Sequence, residues 1–398
     1  MELDKKRQVL GDEAEPVVIG GMVLDINATP SVPANPRTTT PGKVHYTLGG
    51  VARNVAECML KLGAKPYLIS ATGFDLAGNL MLESWRSAGL SIEGIRKNQY
   101  IESAVVCNIL DGEGELAAGV ANVEAIERFL TPEWIRKFKF KFSVAPVLMI
   151  DANLGPPALV VSCQTAAEFN TPVWFEPVSV TKSKRVAPVV KYITFTSPNE
   201  DELVAMANAL SSGNKFSQIE RDILSSSYST ESLFQMLKPP IWVLLEKGIQ
   251  VVIVTLGSKG VFLCFKAMHG VEKHDFIKRK SFSFCRELYE TVNLSCPPSR
   301  TLNTSRPSGS YYMAIHFPAL SASVVRLTGG GDCFVGGTIA SICSGLDIMQ
   351  SVAVGIAAAR GAVESESNVP AEYDLTKVAD DARSVYSDAK VVFCESKL

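Results

Sequence analysis

The chain has 398 residues, 46% of them hydrophobic and 20% charged, with a mean hydropathy of +0.15. That composition excludes a disordered or fibrous chain and leaves ample material for a core. With 39 Lys and Arg against 41 Asp and Glu, there is no global positive field, so neither nucleic acid nor an acidic membrane surface is expected as a partner.

The first 15 residues, a charged N-terminal tail, lack the apolar stretch of a secretory signal. Residues 16–21 (PVVIGG) read as a first strand, and 26–48 as an extended polar segment. A helix over 51–62 stops at Gly63; a strand over 66–70 and a helix over 76–88 stopping at Gly89 follow. A second extended polar segment, 99–120, carries a turn at 111–114. Strands are predicted at 147–151, 173–176, 192–196 and 251–255, with helices over 156–169 and 199–210 between them. Strands apolar on both faces and separated by helices imply an α/β fold whose parallel sheet is covered on both sides. The segments 26–48 and 99–120 are expected to pair as a small β lid over one edge. Residues 266–323 show weak periodicity, with a basic run at 278–280 and Ser, Pro and Asn near 296–310, and read as a surface insertion. A strand-like 324–327 leads to a helix over 332–343. The apolar stretch 339–363 is interrupted by Asp347, Gln350 and Arg360, so it reads as buried helices rather than a membrane span.

Nine cysteines, an odd number with no two-residue spacing, and only four histidines speak against a structural metal site and suit a reducing compartment. The final Ser396, Lys397 and Leu398, at the end of a tail over 387–398, form the tripeptide read by the peroxisomal import receptor. A frayed polar tail is the plain alternative; a peroxisomal address is the expectation.

The most informative local sequence is Thr328-Gly329-Gly330-Gly331-Asp332 before the apolar helix. Three glycines at a helix N-terminus let backbone N–H groups converge on an anion, such as a phosphoryl group in transfer. A carboxylate in the first turn can then accept a proton from an attacking hydroxyl. The same residues would also serve as a tight loop and a helix cap. A second glycine turn, Gly49-Gly50, precedes Asn54, and Asp25 lies near the end of the first strand, where open α/β sheets bind ligands. Asp and Asn there suit sugar hydroxyls, or are caps and turn residues.

These residues in this order resemble the ribokinase-like, or phosphofructokinase-B, carbohydrate kinases. The resemblance spans roughly residues 16–375 outside the insertion and rests on Asp25, Gly49-Gly50 with Asn54, Asn199 with Glu202, residues 254–260 (VTLGSKG), and the glycine loop with Asp332. It implies a three-layer sandwich with a mainly parallel sheet, in one domain over 16–386. The segments 41–43, 49–54, 151–154 and 175–179 resemble most closely the branch that phosphorylates pseudouridine. The peroxisomal tripeptide fits the plant form of pseudouridine catabolism that this implies. Carried over by position, Asp332 would be the base at a ribose 5′-hydroxyl, and the amides of Gly329, Gly330 and Gly331 the anion hole. Asp25, Gly49, Gly50 and Asn54 would hold the ribose. Asn199, Thr255, Gly257, Ser258, Gly260 and Thr328 would bind ATP, and Glu202 would hold Mg²⁺, through water. Asn27, Lys43, Thr47, Asn122, Asp151 and Asn153 are the candidates for reading the base. A homodimer through the lid is implied by the family.

One departure bears on cofactors. Many relatives carry Asp where Arg326 stands, and that Asp helps to hold a monovalent cation, so potassium is doubtful here. Another nucleoside, or ribose, is the alternative substrate within the same family. A dinucleotide-binding oxidoreductase is a reading of another class; the first strand ends IGGMVLD and lacks G-x-G-x-x-G. The intact Asp332 and glycine loop speak against a catalytically dead scaffold.

Overall fold

The computed structural model describes residues 14–33, 37–111, 116–211, 213–217, 228–268, 285–298 and 310–396. Among the described residues the larger sheet contains ten strands. In chain order they are β1 (Val17–Ile19), β4 (Tyr67–Gly73), β5 (Ile95–Asn98), β8 (Leu148–Asp151), β9 (Val173–Glu176), β10 (Phe195–Thr196), β11 (Val251–Thr255), β12 (Val261–Met268), β13 (Ser310–Phe317) and β14 (Lys390–Ser396). Their spatial order is β14-β13-β12-β11-β10-β9-β8-β1-β4-β5. From β5 to β11 every pairing is parallel; β12, β13 and β14 complete the sheet antiparallel.

Alternate residues of one strand enter different cores. Val18, Met149 and Ile253 join the cluster that contains Phe334 and Val352, whereas Val17, Ile19, Ile150 and Val254 join the one around Phe234 and Leu203. A strand that buries both faces needs helices on both, and this produces three layers. The predicted helices form as Val51–Lys61, Leu76–Ser87, Pro156–Glu168 and Glu200–Leu210. Local chemistry fixes their starts: Asp75 accepts the Gly78 N–H, and Asn199 and Glu202 close a reciprocal capping box.

The lid is a four-stranded sheet in the order β3-β2-β6-β7, where β2 is Val23–Pro30, β3 Gly42–Gly49, β6 Val105–Leu110 and β7 Leu116–Asn122. It joins the predicted 26–48 and 99–120 segments, although 112–115 in the expected turn lie outside the described residues. Its base is anchored because β2 leaves β1 through only three residues.

Three expectations are corrected. The 266–323 segment is not a surface insertion throughout: β13 pairs with β12 over eight residues, and the helix Arg286–Ser295 buries Leu288 and Val292 in the core. Residues 269–284 and 299–309, which hold the basic run and most of the Ser- and Asn-rich stretch, lie outside the described residues. Residues 387–396 are not a tail, since β14 is the edge strand hydrogen-bonded to β13; Lys397 and Leu398 lie outside the described residues. Residues 324–327 form no strand but a loop held by the Val325 N–H on Val363 O at 2.8 Å. Among the described residues no helix is long and apolar enough to cross a membrane. All nine cysteines are thiols.

Candidate active site

Parallel strands deliver their carboxyl ends to one edge of the sheet, where Gly20 and Gly21, Asp151, Glu176 and Thr255 follow or close β1, β8, β9 and β11. The helix Gly330–Ser344 points its N-terminus at this edge. Gly329 caps it with φ +89°, a left-handed conformation, and a Cβ there would lie 2.0 Å from Asn368 O. Only glycine fits that close approach. The Gly330 N–H turns back to Leu327 O at 3.3 Å. The N–H groups of Gly331 and Asp332 have no protein partner among the described residues, and with the helix dipole they form an anion-seeking end. The amide of Asp332 itself thus joins a set that sequence alone assigned to the three glycines.

Asp332 projects from the first helical turn, half-buried. Burial drives its pKa up to about 7; the Asn54 amide and the Arg53 guanidinium oppose that rise, while Asp151 and Asp25 add to it. Asn54 Nδ2 donates to Asp332 Oδ2 at 2.7 Å, bringing together residues 278 apart in sequence. Such a carboxylate is basic enough to take a proton near neutrality yet ionised for a large part of the time.

Beside Asp332 lies the end of the lid. Asp25 faces Thr47 across the strand pair, with its carboxylate against Gly49. Burial raises its pKa, and Asn368 Nδ2 reaches Asp25 Oδ2 at 3.4 Å. Gly50 opens the helix that presents Asn54. Farther along, Asn27 pairs across the strands with Asn108, whose Nδ2 donates to Asn27 Oδ1 at 3.1 Å.

On the other side of Gly330 and Gly331 opens a cleft of about 700 Å³. Thr255, Gly257, Ser258 and Gly260 form one wall, and apolar Val324, Leu327, Ile356 and Val363 the other. Asn199 adjoins it through a bridge to Thr255. Thr328 is exposed on the loop and does not line the cleft. The Asn199 side chain is engaged, since its Oδ1 accepts the Glu202 N–H at 2.9 Å while Glu202 Oε2 accepts the Asn199 N–H at 3.0 Å.

Among the described residues no group of three or more His, Cys, Asp or Glu could hold a metal ion. The donor set nonetheless suits Mg²⁺, which takes one or two carboxylates and keeps several waters. Burial raises the pKa of Glu202, and raises that of Glu176 well above its ordinary value, with Glu202 next among the causes. A buried and a half-buried carboxylate that repel one another are a place where a hydrated cation is favoured.

Other predicted residues fall elsewhere. Asp151 is fully buried and spent on main-chain amides: Oδ2 accepts from Gly21 at 2.8 Å and Ala52 at 3.2 Å, and Oδ1 from Asn153 at 2.9 Å. It pins the first strand, the Asn54 helix and the 152–155 turn together, which corrects its reading as a base contact. Lys43 is exposed opposite Thr29, about 14 Å along the lid from Asp25 at ~3.4 Å per residue, so it is not brought to the crevice. Asn122 turns to Glu102 Oε2 at 2.7 Å on the outer strand. Asn153 stays at the rim, its Oδ1 accepting from Lys182 Nζ at 2.5 Å. Sequence reasoning assigned no role to Arg53, Glu176 or Asn368; Asn368 meets Asp25 from 343 positions away along the chain.

Residues 14–284 match the pfkB family of carbohydrate kinases. The chain is 47% identical over 384 residues to the pseudouridine kinase of Arabidopsis thaliana, covering 96% of this chain and 100% of that one. It is 28% identical over 199 residues to the pseudouridine kinase of Escherichia coli (strain K12), covering 50% and 63%. The ribokinase of Arabidopsis thaliana complexed with ribose and ATP shares its fold, with a TM-score of 0.66 at 18% identity over 93% of this chain and 99% of that one. The chain belongs to the pfkB family of carbohydrate kinases. It is accordingly a kinase, with the ribokinase-like α/β architecture.

Proposed function

We propose that this kinase transfers the γ-phosphoryl group of ATP to the 5′-hydroxyl of pseudouridine. One observation carries the chemistry: Asp332 and the unpartnered amides of Gly331 and Asp332 stand where the 700 Å³ cleft meets the crevice of Asp25, Gly49 and Asn54. The choice of nucleoside rests on the Arabidopsis relative. ATP occupies the cleft with Thr255, Gly257, Ser258 and Gly260 along it. The ribose hydroxyls meet Asp25, Gly50 and Asn54, whose Nδ2 keeps one N–H after serving Asp332. Asp332 takes the proton as the 5′-oxygen bonds to the γ-phosphorus, the bond to the β-phosphate oxygen breaks, and ADP departs with that electron pair. The helix end receives the charge that spreads over the phosphoryl oxygens. Glu202 and Glu176 would hold Mg²⁺ through water; when bound, it neutralises charge on the phosphates.

The base readers in this account are Asn27 and Asn153, facing the ring N–H that pseudouridine exposes and uridine lacks. Arg326 Nη1 donates to Glu366 O at 2.7 Å, so a fixed cation sits beside the anion loop, and turnover is expected not to depend on potassium. Exposed Val44, Tyr46 and Val120 on the lid suit a homodimer of the kind the family resemblance implies. Ser396, Lys397 and Leu398 act as the peroxisomal address.

The test is ATP-dependent phosphorylation assayed across pseudouridine, uridine and ribose. Preference for pseudouridine in kcat/KM supports the reading; preference for uridine or ribose replaces it with another substrate of the same fold.

A further inference from the structure

The helix Val51–Lys61 carries a second charged side chain into the site. Arg53 is buried, 6% exposed, directly beside Asn54. Its Nη1 donates to Leu48 O at 2.8 Å and to Asn54 Oδ1 at 2.9 Å, while Nη2 pairs with Glu57 one turn on. Arginine only donates, and an ionised carboxylate only accepts. One orientation of the Asn54 amide therefore satisfies both neighbours, with Oδ1 on Arg53 and Nδ2 on Asp332. Turned over, the amide would oppose N–H to N–H and oxygen to oxygen.

We propose that Arg53 is a positioning residue for phosphoryl transfer: held by Glu57 and Leu48 O, it locks the Asn54 amide so that Nδ2 orients Asp332 towards the acceptor hydroxyl. It also couples the lid to the base, because Leu48 belongs to the strand whose Thr47 faces Asp25. The inference rests on Asp332 being the base. The charged groups facing Asp332 are Arg53 from the helix Val51–Lys61, Asp25 from β2, Asp151 from the end of β8 and Glu176 from the end of β9; Arg326 acts on Asp25. Arg53 is the positive charge among those that act on Asp332 directly. Losing it moves the proton affinity of Asp332 upward, since the remaining neighbours are anionic.

The experiment is the pH profile of kcat and kcat/KM of the full chain with ATP and pseudouridine for three variants. Arg53→Gln is made together with Glu57→Gln, so that no carboxylate is stranded. That variant is expected to lose roughly a hundredfold in kcat, the scale of a misplaced reacting group. Its acid limb should move up by about half a pH unit or more, the sign for a lost cation. Arg53→Lys keeps the charge but cannot span three acceptors: kcat falls while the limb stays at the wild-type pH. Asn54→Ala should give a loss that does not add to that of the Arg53 variants, because both act through one contact.

If the double variant does not fold, Arg53→Lys and Asn54→Ala decide alone. Wild-type kcat in Arg53→Lys, or losses that add with Asn54→Ala, would overturn the proposal. A folded double variant with its limb unmoved would do so too. A wild-type enzyme with no acid limb would instead remove Asp332 as the base, a different failure.

Discussion

At the residue scale, the reactive property of Asp332 is a compromise between burial and four neighbours. Desolvation and the anions Asp151 and Asp25 push its proton affinity up, and Asn54 and Arg53 hold it near 7. The base acts when ionised, so kcat/KM is expected to rise with pH through about 7 and to fall below it. A profile flat from pH 5 to 8, within roughly that neutral range, would place the titrating group elsewhere. The same shift has a stability consequence. Between the ordinary carboxylate value and about 7 the folded state holds the proton more tightly than the unfolded one, so raising pH through that window costs stability. The site thus gives up some stability for its chemistry. Asp151, at the end of a strand instead of the start of a helix, shows how another carboxylate of the same crevice differs: its oxygens are consumed by amides of Gly21, Ala52 and Asn153, so it serves the scaffold.

At the element scale, two placements matter. The helix Gly330–Ser344 can offer its N-terminus only because Gly329 turns left-handed with Asn368 O against its Cα. Gly329→Ala puts a methyl group 2.0 Å from that carbonyl, so the loop must move. A loss of roughly a hundredfold in kcat is expected, since displacement of about 1 Å costs that much; an unaffected kcat would show that the loop position is not critical. The edge strand β14 makes the second prediction. It pairs with β13 over most of its length and places Val391 and Cys394 against the core. Deleting residues 389–398 should lower the melting temperature by several degrees, whereas deleting 397–398, which leaves the strand whole, should leave melting and turnover unchanged and, on the proposed peroxisomal address, abolish import of a fluorescent fusion. Equal melting of the two deletions would deny the strand its structural part.

At the scale of the whole molecule, the parallel half of the sheet was legible because runs such as VVI and VVIVT are apolar on both faces. Their spacing by helices leaves few alternatives. The glycine loop and Asp332 were legible for the same local reason, a turn immediately before a helix. The antiparallel strands were not. The run YYMAIHF in β13 stands between polar, Ser-rich flanks, and VVF in β14 adjoins the terminal tripeptide, so both were absorbed into their surroundings. Contacts across the chain escaped too. Asn368 bonds Asp25 from 343 positions away, and the Asn54–Asp332 pair spans 278. A local pattern identifies which side chains are chemically able, and only the folded chain selects the ones that meet.

The claim on which all of this stands is that Asp332 is the proton acceptor, and Asp332→Asn tests it most directly. The substitution preserves shape and removes basicity, so kcat for pseudouridine should fall at least about a thousandfold, within the range general base catalysis supplies, while the nucleoside still binds. Turnover within tenfold of wild type, on the scale of about 1.4 kcal/mol in the barrier, would contradict it.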